Sequence, residues 1–215
     1  MDKYELVPLF GNEEKIPDCI TLLNEEWPKS ETFRLNSLNK YCKPSPPMSV
    51  ILLDSETREL IGHSRFLNVC NYGAGRAAYL ESLIIRKADR GKGIGKVLVQ
   101  KCVEKAKNEG YSVVLLCTED QMEFYEKCGF QCCEFLPILT MGVEACVASS
   151  VVFSEIKPID RKECKTTLPV SNGVLPSSAA LTAISNGPLP PPPPAPSIKS
   201  PVRVNKPEQF MFLYL

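Results

Sequence analysis

Histidine and tryptophan each occur once in this chain of 215 residues, and neither sign of charge is in excess, with 25 Lys+Arg against 25 Asp+Glu. A net charge of zero gives no global field to gather nucleic acid, so any electrostatic preference must be local. A lone histidine, His63, without cysteine or histidine pairs at ligand spacing, gives zinc no site, and no metal is expected. No apolar run reaches the roughly 20 residues of a membrane-spanning helix. The opening MDKYELVPLF has neither the basic nor the apolar region of a secretory signal. The expectation is therefore a cytoplasmic chain with no membrane or nucleic-acid partner. In that setting the ten cysteines read as reduced, mostly buried small apolar residues and not as a disulfide framework.

What is present has the periodicities of a mixed α/β domain with its own core. Tyr4 to Leu9 reads as a strand. Ile16 to Trp27 carries an apolar stripe at Ile16, Cys19, Ile20, Leu23 and Trp27, the spacing of a helix, with Pro17 in its first turn and Pro28 as its stop. Glu31 to Leu38 reads as a second, short helix, after which Pro44 to Pro47 breaks the chain. Ser49–Leu53 and Glu59–Cys70 form a hairpin about the polar turn Asp54–Arg58, and Ala77–Ile85 follows as a third run. A helix from Ile94 to Glu109 closes at Gly110. Tyr111–Thr118 is almost wholly apolar, as expected of a strand covered on both faces. Asp120 suits the start of a helix through Lys127 that Gly129 ends, and Phe130–Leu139 reads as extended.

From Lys157 to Pro207 the composition shifts to Ser, Thr, Asn and Pro, with the run Pro188-Leu-Pro-Pro-Pro-Pro-Pro-Ala-Pro196. Such a segment has too little apolar surface to offset its ordering entropy, so it is expected to be disordered around a polyproline core. Glu208-Gln-Phe-Met-Phe-Leu-Tyr-Leu215 then returns to strand composition and is expected to rejoin the sheet. The chain thus divides into a core over 1–156, an insertion over 157–207 and a returning strand over 208–215.

Chemistry is concentrated in Arg86 to Leu98, RKADRGKGIGKVL. A P-loop would need Ser or Thr after Gly95-Lys96, where Val97 stands. A dinucleotide fingerprint would need GxGxxG directly after a strand, and here GxGxG follows the charged segment Arg86–Arg90. A purely structural turn remains possible but gives no reason for glycine at 91, 93 and 95. A loop whose bare amides face an anion at a helix N-terminus does give one. Arg90, Lys92 and Lys96 add charge for more than one phosphate, so a pyrophosphate is the natural occupant.

Arg90-Gly-Lys-Gly-Ile-Gly95 resembles the R/Q-x-x-G-x-G/A acetyl-CoA loop of the GNAT acetyltransferases, and Phe124-Tyr-Glu-Lys-Cys-Gly-Phe130 resembles that family's F-Y-x-x-x-G-F element. The Asn-x-x-Ala that usually begins the second element is here Thr118-Glu-Asp-Gln121. The resemblance implies a GNAT fold and acetyl-CoA as cosubstrate. It implies cofactor contacts from Arg90, Gly91, Lys92, Gly93, Ile94, Gly95 and Lys96, from the backbone of Leu83, Ile84 and Ile85 at a splayed or bulged strand, and from Thr118 and Gln121. It places Glu81 where such enzymes often hold a base, and Tyr125 where it protonates the departing thiolate. Without the resemblance, Glu81 is a strand carboxylate and Tyr125 a packed aromatic.

Trp27-Pro-Lys-Ser30, Arg34-Leu-Asn-Ser-Leu38, Gly62-His63, Leu80-Glu81, Asp120-Gln-Met-Glu-Phe-Tyr125 and the polyproline run are similar to the enzymes that acetylate the acidic N-terminus of actin. That closer similarity implies cations near the amine, with Arg34 first and Arg65 or Lys29 beside it. Trp27 and Ser30 would line the peptide cleft. His63 reads as strand core or a hydrogen bonder to substrate and not as the base. Pro190–Pro194 is an extended ligand suited to an aromatic groove such as that of profilin, which carries actin, or else a plain spacer.

Overall fold

The computed structural model describes residues 2–136, 138, 140, 152–160 and 209–215. The expected insertion from residue 161 onward, with its polyproline run, lies outside these residues. The element order is β1 (Tyr4–Pro8), α1 (Ile16–Glu26), α2 (Glu31–Lys40), β2 (Met48–Asp54), β3 (Leu60–Val69), β4 (Ala77–Ile85), α3 (Ile94–Asn108), β5 (Val113–Thr118), α4 (Met122–Glu126), β6 (Gln131–Cys133) and β7 (Gln209–Tyr214). They form a seven-stranded sheet in the order β1-β2-β3-β4-β5-β7-β6. Among the described strands only β4 and β5 pair in parallel, through the crossover helix α3. The fold is a mixed α/β sheet with helices on both faces.

Helices cover the sheet where their apolar stripes fall. Cys19, Leu22 and Leu23 of α1 and Leu38 of α2 pack with Leu9 on Ile51, Leu53, Leu60 and Ile84. On the other face Ile94, Leu98, Val99, Cys102 and Ala106 of α3 lie on Val50, Leu52, Ile61, Phe66, Val114 and Leu116. Burying each Leu, Ile, Val or Phe among these contributes about 1.5–3 kcal/mol. At the end of α3, Gly110 takes φ +76°, its N–H donates to Lys107 O, and the Tyr111 N–H reaches Ala106 O, which satisfies the last carbonyls of the helix. Gln209–Tyr214 enters between β5 and β6, pairing Val113–Thr118 on one side and Gln131–Cys133 on the other. A third apolar group, including Val69, Val113, Leu115, Phe212 and Ile156, covers that half of the sheet. Glu134 N–H donates to Lys157 O, Ile159 N–H donates to Cys132 O and Ile159 packs on the core, so residues 157–159 attach to the β6 segment although composition groups them with the insertion.

Two boundaries differ from expectation for local reasons. Strand β5 begins at Val113, because Tyr111 is occupied in closing α3 and packs edge-on against Phe66. Helix α4 begins at Met122 after Gln121, not at Asp120, and Thr118 Oγ1 accepts from the Gln121 N–H at the turn. Beyond Cys133 the extended reading to Leu139 ends, and residues 137 and 139 lie outside the described set.

Candidate active site

Strands β4 and β5 are partners only from Ala77–Leu80 to Val113–Leu116. Beyond Leu80, β4 stays with β3 while Cys117 and Thr118 of β5 stay with β7. The edge of Glu81–Ile85 that faces β5 therefore has no strand neighbour among the described residues, and a slot opens between the two strands. The pairing His63↔Ile84 and Arg65↔Glu81 sets one residue of β3 against two of β4, with Ser82 at φ +53°. The irregularity expected at Leu83–Ile85 is a bulge centred one residue earlier. Gly62 lets the strands approach there: an added Cβ would sit 2.9 Å from Ile84 O and 2.7 Å from Ile85 Cδ1.

The glycine loop stands at the mouth of this slot. Gly91 at φ +75° and Gly93 at φ +79° adopt the left-handed conformation, and an added Cβ at either would meet nothing within 4 Å. Among the described residues, no backbone N–H from Gly91 through Gly95 has an acceptor. Gly93 heads α3 without a side-chain cap, so these amides and the helix dipole present a concave donor surface. Gly95 brings the two motifs together: its missing Cβ would lie 3.3 Å from Phe124 Cζ in α4.

The loop cations are already engaged. Asp89 pairs with Arg86 Nε at 2.6 Å and Lys92 Nζ at 3.1 Å, contacts that hold its carboxyl below the usual range. Arg90 donates from Nε to Ile85 O at 2.9 Å and from Nη2 to Glu26 at 3.0 Å. Lys96 makes no ion pair among the described residues. The donor surface is bare, partly cationic and open, which fits a diphosphate.

Tyr125 is buried in the α3-side core, edge-on to Phe124 and Phe130. Burial, with Cys128 and Cys102 adding to it, pushes its hydroxyl up to about 12, so it holds its proton throughout the neutral range. Thr118 ends β5 and Gln121 heads α4, both beside the slot.

The opposite face, between the apolar patches under α1 and α2 and over β5–β7, carries a polar strip. The register puts Ser49, Arg65 and Glu81 side by side across β2, β3 and β4, with His63 next along β3. Arg65 Nη1 donates to Glu81 Oε1 at 3.0 Å, its Nη2 donates to Ser37 Oγ of α2, and its guanidinium lies 4.5 Å from the Tyr41 ring centre. His63 is fully buried and bonded through Nδ1 to Ser82 O at 3.3 Å, and burial pulls it down to about 4. It is therefore neutral at ordinary pH, with Nδ1 donating. Ser49 Oγ, His63 Nε2 and Arg65 Nε are buried without partners among the described residues.

Two residues expected at the peptide cleft, Arg34 and Ser30, close helix ends. Arg34 is 7% exposed and donates to Asn24 Oδ1, Leu23 O and Trp27 O, closing the end of α1. Burial and then Arg65 pull its guanidinium below the ordinary value. Arg34 thus serves the helix end, where carbonyls lack partners. Ser30 caps α2 by accepting from the Phe33 N–H. Trp27 follows α1 and is 37% exposed, at the surface of the α1–α2 corner and not in the core. Lys29 Nζ lies 6.0 Å from the Phe33 ring centre. The residues that sequence reasoning passed over are Ser37, Tyr41 and Ser49. Helix and strand periodicity puts Ser37 and Ser49 on inward faces, but nothing in it singles out a hydroxyl as an arginine's neighbour.

Residues 16–130 match the Acetyltransferase (GNAT) family. The chain is 27% identical over 187 residues to N-alpha-acetyltransferase 80 of Mus musculus, covering 85% of this chain and 57% of that protein. It is 38% identical over 88 residues to a probable glucosamine 6-phosphate N-acetyltransferase of Oryza sativa subsp. japonica, covering 40% of this chain and 49% of that protein. Among solved structures it is similar in fold to an aminoglycoside 6'-N-acetyltransferase complexed with coenzyme A. The TM-score is 0.50 at 18% identity, over 62% of this chain and 88% of that one. The chain belongs to the GNAT family of acetyltransferases.

Proposed function

We propose that this chain transfers the acetyl group of acetyl-CoA to the α-amine of an acidic protein N-terminus, with the N-terminus of actin as the acceptor. The observation that supports it is the polar strip itself: the half-buried Glu81 is set against Arg65, with a second guanidinium, Arg34, close enough to be perturbed by it. The strip offers one carboxylate to a proton and the Arg65 guanidinium to an acidic peptide. The likeness to mouse N-alpha-acetyltransferase 80 extends over 85% of this chain, whereas that to the rice sugar-phosphate enzyme extends over 40%.

The chemistry asks little of the protein beyond placement. An α-amine has a pKa of about 7.7–8.0, so much of it is near the reactive neutral form at cellular pH. Acetyl-CoA supplies the acyl group and the thiolate leaving group. The amides of Gly91–Gly95, with Arg90, Lys92 and Lys96, hold its diphosphate. The open edge of Leu83–Ile85, with Thr118 and Gln121, holds the pantetheine arm. Glu81 accepts the proton the amine sheds, directly or through one water. Tyr125 Oη, protonated up to about 12, carries a proton for the departing sulfur. In this reading the enzyme works in the cytoplasm, and Pro190–Pro194, outside the described residues, binds the profilin that delivers actin.

The identity to the rice enzyme favours a second reading, a small phosphorylated amino sugar as acceptor, since a phosphate also satisfies guanidiniums. Thiol release from acetyl-CoA, measured in parallel with Asp-headed peptide, Ser-headed peptide and glucosamine 6-phosphate, separates the readings. Turnover of the Asp-headed peptide at least about tenfold above the others is expected. Preference for the sugar, or none, rejects the proposal.

A further inference from the structure

Arg65 is engaged on nearly every side. Its carboxylate partner is Glu81, its hydroxyl partner Ser37, and Tyr41 covers its π face, while Nε is buried without a partner among the described residues. Glu81, by contrast, is held at one point. Only Oε1 is bonded, and its side chain is 33% exposed against 12% for Arg65. The cation is therefore the fixed member of the pair and the carboxylate the movable one. The charge balance points the same way. Arg34 has no carboxylate partner among the described residues, and His63 is neutral above about 4. Glu81 is the carboxylate that Arg65 meets among the described residues. A second carboxylate entering this strip meets a guanidinium whose present partner is the more exposed member of the pair.

We infer that Arg65 selects an acidic acceptor by carboxylate exchange: the acceptor's first acidic side chain replaces Glu81 on the Arg65 guanidinium, and the displaced Glu81 becomes the proton acceptor for the α-amine. This rests on the functional reading above. While paired, Glu81 has Oε1 occupied by the Arg65 guanidinium. Once released, it faces an amine tethered beside it, so recognition and activation are one event. In the transfer, the C–N bond forms as the thioester C–S bond breaks. The amine's proton passes to Glu81, and the sulfur takes a proton from Tyr125, which solvent restores as Glu81 gives its own up. A neutral acceptor of the same shape leaves the pair closed.

The test compares an Asp-headed peptide with its Asn-headed isostere, on the wild type and Glu81→Gln. Calorimetric titration with saturating coenzyme A gives binding without turnover, and steady-state assays with acetyl-CoA give rates. Removing the competing charge should tighten the Asp-headed peptide about five- to tenfold in Glu81→Gln. The Asn-headed peptide should stay within about twofold, and kcat should fall about 100-fold. Equal or weaker binding of the Asp-headed peptide to Glu81→Gln overturns the exchange, because a Glu81 that simply attracts the amine would be missed. Arg65→Lys, which keeps charge but loses the fork, provides the second arm. Its Asp-over-Asn ratio in kcat/KM should fall about tenfold, and an unchanged ratio also overturns the exchange. If the wild type acetylates neither peptide, the functional reading itself fails and the exchange falls with it.

Discussion

Arg90 Nη2 lies 3.0 Å from Glu26 Oε2, tying the head of the glycine loop to the last residue of α1. The same side chain holds Ile85 O, so it joins the glycine loop, the end of β4 and the end of α1. Lys87 Nζ adds a second tie, donating to Glu25 O at 3.0 Å.

The Arg90–Glu26 pair is about two-fifths exposed on each side, so its contribution to stability is at most about 1 kcal/mol. Glu26 nevertheless competes with any phosphate for Arg90. Glu26→Gln should strengthen coenzyme A binding about two- to fivefold while moving the melting temperature little. Calorimetry and a thermal melt on the same sample read both. Weakened binding in Glu26→Gln would show that Glu26 orients Arg90 for the cofactor.

Close approach of β3 and β4 depends on Gly62. A methyl group there meets Ile84 O at 2.9 Å and Ile85 Cδ1 at 2.7 Å, and backbone cannot step aside as a side-chain end can. Gly62→Ala should cost about 1–3 kcal/mol in urea denaturation and disturb the bulge at Ser82. A stability equal to wild type would mean the strands can part without penalty.

His63 makes folding sensitive to acid. Its folded value is about 4, against 6.5 as the ordinary value, because burial penalises the charged ring. A depressed folded value means that the unfolded chain binds the proton first. The stability from neutral His63 is therefore fully present above 6.5 and is lost as pH falls toward 4. Over that window the loss amounts to about 3 kcal/mol. Denaturation midpoints from pH 7.5 to 4 should slope in the wild type and flatten in His63→Leu. Equal slopes would mean that carboxylates, and not His63, set the acid limb.

Periodicity and glycine placement carried most of the fold and the form of the glycine loop. The stripe of α1, the apolar run of β5, the return of 209–214 to the sheet and the bare loop 91–95 are properties of nearby residues, and each leaves a mark in the sequence. The acceptor side was less legible. Arg34 was readable as a cation but not as the closure of α1, because the carbonyls it satisfies belong to Leu23 and Trp27, whose positions depend on how α2 folds back. Glu81 and Arg65 were each singled out, yet their pairing depends on a register that includes the bulge at Ser82, which no local pattern announces. The partners Ser37 and Tyr41 come from another element altogether.

The central claim is that the amides of Gly91 to Gly95 take a diphosphate. The most direct measurement is an amide proton–nitrogen NMR titration of the full chain with coenzyme A and, separately, with pantetheine, which lacks the diphosphate. Coenzyme A is expected to move the resonances of Gly91, Gly93 and Gly95 downfield as hydrogen bonds form, and pantetheine to leave them in place. Unmoved glycine amides at saturating coenzyme A would contradict it.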